Sequence, residues 1–281
     1  FKASDQYPVG IIAKDMDKRG RLDAFPSLYL PAPDGTKKEY PANVREDAVK
    51  QLISLRKRFT NYKSYALATM DELLTPEQSK DALRLKANML QSAYLRNEGN
   101  GKFTIIPLPK AAQVSVLNGM TVDDYDGDGN LDVVINGNDY GTDVAVGRYD
   151  ALNGLLLKGD GKGNFKPVSI LQSGIYIPGN GKALVKLQGG KGKYLLAASQ
   201  NKDALKLFAL KSSIRIIKPQ PLDVSAVITY KNGSSVKQEL YYGSSFLSQS
   251  ARFISADHNV TSIKLTHGNG TSSVININQA L

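Results

Sequence analysis

The sequence predicts a mainly β protein with one helical stretch, and three observations carry that reading. From Val114 onward, short apolar runs are punctuated by Gly, Asn and Asp without helical periodicity. A glycine-rich turn ending in Gly-Lys-Phe or Gly-Asn-Phe occurs twice, at Gly99–Phe103 and Gly159–Phe165. An acidic nine-residue loop occurs in two versions, Asp15–Asp23 and Asp124–Asp132. Repeated short strands of this kind build sandwiches, barrels or propellers.

Taken in order, Val9–Tyr29 is apolar with a polar interruption at Asp15–Asp23, which predicts two strands around a tight loop. Asp34-Gly35 marks a turn. A helical region follows over about 43–82. Asn43 with Glu46 reads as a capping box, and Val49, Leu52, Ile53, Leu55 and Phe59 recur at helical spacing. A second helix is expected over Tyr62–Leu73, and Thr75-Pro76 with Gln78 starts a third. Residues 94–106 read as strand, turn and strand, as do 155–165. Leu187–Tyr194 holds the position of the acidic loop without its acids and predicts a plain hairpin. Pro219-Gln220-Pro221 marks an expected boundary between a first domain over 1–218 and a compact β module over 222–281, in which Asn232-Gly233 and Asn269-Gly270 supply hairpin turns.

The later acidic loop carries the chemistry. With Asp124 as position one, carboxylates fall at one, three, five and nine (Asp124, Asp126, Asp128, Asp132), glycine at six (Gly129) and Asn130 at seven. Hard calcium takes six to eight oxygens, and a loop that folds back on itself brings alternate side chains to one point. Five Asp between 123 and 132 repel one another unless a cation lies among them. An EF-hand needs Glu at position twelve and a following helix, whereas position twelve here is Ile135 in a β-branched run. The reading is a strand-flanked calcium loop. In the earlier version Asp15, Asp17 and Asp23 keep positions one, three and nine, but Arg19 and Arg21 stand at five and seven. A guanidinium among three carboxylates can replace the cation through charge-assisted hydrogen bonds, so this loop is expected to hold no metal.

Composition narrows the function classes. There are 281 residues, no Cys and two His, which excludes disulfides, thiolate metal sites and histidine-rich centres. No apolar run approaches the ~20 residues that span a bilayer as a helix. The chain starts Phe1-Lys2-Ala3-Ser4 and reads as a mature or excised segment. Residues 113–154 hold eight Asp against one Arg, and residues 155–218 twelve Lys and Arg against two Asp. The basic stretch is scattered Lys on strand-like segments, where lysine also discourages edge-to-edge pairing, and it lacks the aromatic interleaving of a nucleic-acid surface.

On the Asp124–Asp132 loop, the strand after it and the Gly-Asn-Phe hairpin, the chain resembles FG-GAP/VCBS repeat proteins. Gly243–Ser250, Val260–Leu265 and Gly268-Asn269-Gly270 are similar to the ASPIC/UnbV domain that follows such repeats. The resemblance implies blades of a partial β-propeller, interrupted by the helical insertion and followed by the small C-terminal module, in a fragment of a longer protein. It implies calcium at Asp124, Asp126, Asp128, Asn130 and Asp132. It also implies a noncatalytic, calcium-stabilised binding or adhesion scaffold, secreted, periplasmic or on the outer cell surface, that recognises a glycan or a surface protein. Asp139, Tyr140, Arg148 and Tyr149, beside the calcium loop, are the candidate ligand contacts because they combine Tyr, Arg and carboxylates. The alternative is a calcium-dependent polysaccharide lyase or hydrolase, although no carboxylate pair is singled out by its surroundings.

Overall fold

A computed structural model of the chain describes residues 2–144, 146–212, 214–243, 245 and 247–277. The protein is mainly β, in several antiparallel sheets. Among the described residues no sheet closes into a barrel and no closed propeller forms. The chain divides into two compact units, Phe1–Gln91 and Ser92–Leu281, so residues on both sides of Pro219-Gln220-Pro221 lie in the second.

The first unit is a four-stranded sheet with short helices. Strands β1 (Val9–Lys14), β2 (Asp23–Pro31), β3 (Lys37–Pro41) and β4 (Leu83–Ala87) lie in the order β3-β2-β1-β4. The Asp34-Gly35 turn joins β2 to β3, with Asp34 Oδ1 accepting from Thr36 N at 2.9 Å. Between β3 and β4 the chain forms α1 (Arg45–Gln51), α2 (Leu55–Arg58), α3 (Tyr62–Ala66), α4 (Met70–Leu73) and α5 (Pro76–Ser79). None exceeds two turns, a length at which helices depend on packing rather than propensity. That packing is a core of Ile12, Phe25, Leu52, Leu55, Phe59, Tyr65, Met70 and Leu73.

Two helical expectations are corrected here. Asn43 does not cap α1: the cap position is Val44, and Asn43 instead offers its carbonyl to Tyr65 OH at 3.0 Å. The expected helix over Tyr62–Leu73 is broken, because Thr69 is extended and pairs with Glu72, its N–H donating to Glu72 Oε2 at 2.9 Å. That capping pair starts a new helix. Thr75 and Gln78 do the same for α5, with Pro76 at the first position.

The second unit opens with the hairpin β5 (Ala93–Gly99) and β6 (Lys102–Pro107). A four-stranded meander follows: β7 (Leu117–Asp123), β8 (Asp132–Gly137), β9 (Leu155–Gly159) and β10 (Phe165–Val168). The two Gly-x-Phe hairpins meet, with Tyr94 and Phe165 edge to face at 5.7 Å. Next come β11 (Gly181–Gln188), β12 (Tyr194–Gln200) and β13 (Asp203–Ala209), with the expected plain hairpin between β11 and β12. β7 and β8 both lie against β11 without a backbone ladder among the described residues, and one side-chain amide from each bridges to it. Asn118 Nδ2 donates to Gly181 O (2.8 Å) and Asn136 Nδ2 to Ala183 O (3.1 Å). The chain ends in β14 (Arg215–Ile217) paired with β17 (Ile254–Ala256), and in the sheet β16-β15-β18-β19, made of β15 (Asp223–Tyr230), β16 (Ser235–Glu239), β18 (Val260–His267) and β19 (Ser272–Asn276).

The absence of helix beyond Val114 is also corrected. One turn, α6 (Ile170–Ser173), is capped by Ser169 with Gln172 and ended by Gly174 at φ 71°. Ser-x-x-Gln followed by Gly is a start-and-stop signal that carries no apolar periodicity of its own. Ser244 and Phe246 of the C-terminal motif, and residues 278–281 of the expected module, fall outside the described residues.

Candidate metal centre

The centre is built on the β7–β8 turn, whose two ends face each other in register as Asp123 and Asp132. Asp124 organises the turn: Oδ1 accepts from Gly127 N (2.8 Å) and Asp128 N (3.2 Å), and Oδ2 from Gly129 N (2.8 Å). Gly127 and Gly129 sit at φ 78° and 86°, a region in which a side chain is strained, which is why glycine stands at both. Asp126 Oδ1 accepts from Asp128 N (3.2 Å), and Asp128 Oδ1 from Asn130 N (2.8 Å). Buried Asp132 closes the loop, Oδ2 accepting from Tyr125 N (3.1 Å) and Oδ1 from Gly159 N (2.9 Å).

As a result, oxygens of Asp124, Asp126 and Asp128 converge, all within 4.8 Å of one another. Asp132 lies outside that triad, and both of its oxygens accept backbone N–H bonds. Asn130 contributes its N–H to the turn. Lys158, from β9, places its ammonium against the triad, bonding Asp126 Oδ2 and Asp128 Oδ2, the latter at 2.9 Å. It stands in for a cation there, and the two carboxylates raise its pKa. One monovalent charge does not balance the site. Burial pushes Asp132 up to about 6, and Asp126 and Asp124 add like-charge repulsion. Asp124 is raised too, chiefly by burial and against the pull of Gly129 N–H and Gly127 N–H. Burial acts on Asp128 in the same sense, but Lys158 and the Asn130 N–H hold it below the ordinary carboxylate value. An oxygen-only set of converging, under-neutralised carboxylates suits a hard divalent cation rather than zinc or copper.

The β1–β2 turn repeats this geometry. Asp15 accepts from Arg19 N (2.9 Å) and Gly20 N (2.8 Å), as Asp124 does from Asp128 N and Gly129 N. Asp23 Oδ2 accepts from Met16 N (3.3 Å), as Asp132 does from Tyr125 N. Asp15, Asp17 and Asp23 again bring oxygens within 4.8 Å and form a second triad that can hold a metal ion. The difference is position five. Arg19 Nε pairs with Asp17 Oδ2, its Nη2 lies 3.9 Å from Asp23 Oδ1, and Arg21 Nη2 lies 3.8 Å from the same oxygen. Both guanidinium groups also bond the Gln51 carbonyl at the end of α1.

The other expected site residues lie in the loop after β8, at the Gly137 end of that strand and not beside the acidic loop, which ends at Asp132. Asp139 and Tyr149 pair through their backbones, each N–H donating to the other's carbonyl at 2.9 Å. Arg148 lies over the Tyr140 ring at 4.8 Å. Buried Asn138 holds this loop in place: Nδ2 donates to Leu152 O (2.7 Å) and Gly179 O (3.0 Å), and Oδ1 accepts from Leu152 N (3.0 Å).

Sequence reasoning missed Lys158, which reaches the acids because β9 pairs with β8, and it missed a buried network behind the loop. There Asp123 Oδ2 accepts from Lys186 Nζ and Tyr194 OH, both at 3.1 Å, and Oδ1 from Ser255 Oγ at 2.7 Å. The one available signal was a fifth Asp, Asp123, directly before position one of the loop. No family model matches the chain, and no curated protein matches it.

Proposed function

We propose that the 124–132 loop is a calcium site that stiffens the blade-like β7–β10 meander of a noncatalytic extracellular binding or adhesion scaffold. One observation carries the reading: three carboxylates of a strand-flanked loop converge on a point where, among the described residues, a single lysine ammonium balances them. Asp124, Asp126 and Asp128 would supply side-chain oxygens, Asn130 its carbonyl, and Asp132 would hold the ends of the loop. The ion's chemistry is structural: it offsets repulsion and fixes the turn. The repeated loop geometry in the two units supports the FG-GAP/VCBS resemblance, in which the sheets are blades of a partial propeller, the helices of residues 45–79 an insertion, and the last strands an ASPIC/UnbV-like module. The ligand is then a glycan or a surface protein, bound at a secreted, periplasmic or outer-surface location.

The test is a binding screen against glycans and surface proteins with and without calcium; binding that is indifferent to both calcium and chelator removes the link between the loop and recognition. Calorimetric titration is expected to give one calcium per chain, because Arg19 fills the other triad. Arg19→Asp, which puts a carboxylate at position five, is expected to raise the count to two; a second ion in the unsubstituted chain contradicts this. Arg148→Ala removes an exposed cation–π contact of about 0.5–1 kcal/mol, so its melting curve stays close to that of the parent. Ligand affinity falls in that variant if the Asp139–Tyr149 loop is the contact surface.

A further inference from the structure

The loop read above as a calcium site is also where the C-terminal sheet meets the β7–β10 meander. The turn between β17 and β18 rests on it. Asn259 Nδ2 donates to Gly127 O at 2.9 Å, and Asn259 is held in that pose by Asp257, whose Oδ1 accepts from Asn259 N at 2.8 Å. The Asp257 carboxylate lies so close to the loop that a Cβ on Gly127 would meet its Oδ2 at 2.6 Å. Tyr230, at the end of β15, lays its ring beside Gly129, where a Cβ would lie 3.8 Å from it. Lys231 N donates to Asn259 O at 2.8 Å, which joins the Tyr230 and Asn259 contacts into one surface. Ser255 Oγ, bonded to Asp123 at the foot of the loop, is the third attachment.

The residues gripped in this way are Gly127 and Gly129, which alternate with the acids Asp126 and Asp128. Their positions are therefore set by whatever holds the acids together. We propose that ion binding at residues 124–132 fastens the C-terminal sheet to the meander, with Asn259, Asp257 and Tyr230 as the positioning residues that carry the coupling. The inference rests on the reading of the loop as a metal site. Without the ion, the carboxylates repel, the Asp126–Gly129 turn samples other conformations, and the β17–β18 turn loses a fixed partner. Coupling of this kind is reciprocal: if the ion tightens the attachment, the attachment tightens the ion by the same factor.

Hydrogen exchange on the full chain, with calcium and with chelator, reads both sides. Calcium is expected to slow exchange in residues 124–135 and also in residues 254–263, more than one hundred positions away in sequence. Asn259→Ala is expected to weaken calcium roughly three- to ten-fold, the worth of one hydrogen bond, and to abolish the protection at 254–263 while that at 124–135 persists. If calcium binds and protects 124–135 but leaves 254–263 unchanged, the coupling is wrong and the metal site stands. An Asn259→Ala chain that binds calcium as tightly as the parent also overturns it. If no calcium binds, both readings fall together. Should the variant not fold, the comparison on the unsubstituted chain decides alone.

Discussion

Calcium at about one hundred times its dissociation constant is expected to raise the melting temperature of the second unit by about 5–10 °C. The arithmetic is mass action. An ion that binds only the folded state at that excess adds about 2.7 kcal/mol. In a domain of this size each kcal/mol moves the midpoint by about 2–4 °C. The first unit, with Arg19 at position five of its loop, is expected to show no calcium dependence, so a two-step melt should have one mobile step and one fixed. Asp128→Ala is the substitution that isolates the ion. Asp124 accepts three backbone N–H bonds and Asp132 two, so truncating either dismantles the turn itself. Asp128 accepts from the Asn130 N–H and pairs with Lys158. Its loss removes one donor of the ion and relieves repulsion, and it leaves the Asp124-centred turn in place. The chelated variant should therefore melt near the chelated parent, while the calcium-induced rise disappears. A parent melting curve that chelator does not move would sink the metal assignment.

The features of this site that were legible in the sequence are the local ones. The one-three-five-nine spacing of Asp124–Asp132 and the β-branched run after it predict both the turn and its strand context. The same spacing in Asp15–Asp23, with arginine at five, predicts a loop whose cation is a side chain, and Arg19 does pair with Asp17 there. Capping pairs are local too: Thr75 with Gln78 stands out beside Pro76, whereas apolar spacing around Thr69 and Glu72 predicts an unbroken helix and its lack around Ser169 and Gln172 predicts none. Asn43 fails for the opposite reason, since its carbonyl is drawn to Tyr65 across the helical segment. What a single chain does not display is the partner supplied by pairing of distant strands. Lys158 reaches Asp126 from 32 positions away, and Asn259 reaches Gly127 from 132. Nothing in the local pattern of either residue marks it, because the sheet topology alone brings them to the loop.

The buried network behind the loop yields the second large effect. Lys186 and Asp123 are both buried and paired, and such a pair is costly to break because the survivor keeps its charge in a place with little water. The two truncations are not equivalent. After Lys186→Met, Asp123 still accepts from Ser255 Oγ, Tyr194 OH and Asp124 N, so part of its charge remains solvated by donors. The expected loss is about 3 kcal/mol, the low end for a broken buried pair, or roughly 6–12 °C in the midpoint of the second unit. After Asp123→Ala, Lys186 keeps, among the described residues, the Phe253 carbonyl at 3.3 Å and the face of its ring at 4.9 Å, while Ser255 Oγ and Tyr194 OH lose an acceptor. That variant is expected to fall further, by about 4–5 kcal/mol. Asp123→Asn combined with Lys186→Met removes both charges; the amide oxygen accepts from one of the Ser255 and Tyr194 hydroxyls and the amide NH2 donates to the oxygen of the other. The double variant should cost less than the sum of Asp123→Asn alone and Lys186→Met alone by about 1–3 kcal/mol, which a double-mutant cycle of these three variants on chemical denaturation measures. The ordering discriminates between two roles. If Lys186→Met were as damaging as Asp123→Ala, the ammonium would hold the junction through the Phe253 carbonyl and ring as much as through Asp123. If Asp123→Ala is the worse of the two, the carboxylate is the hub on which β7, β11, β12 and β17 converge, and the acidic loop is anchored to the core through the residue directly before it.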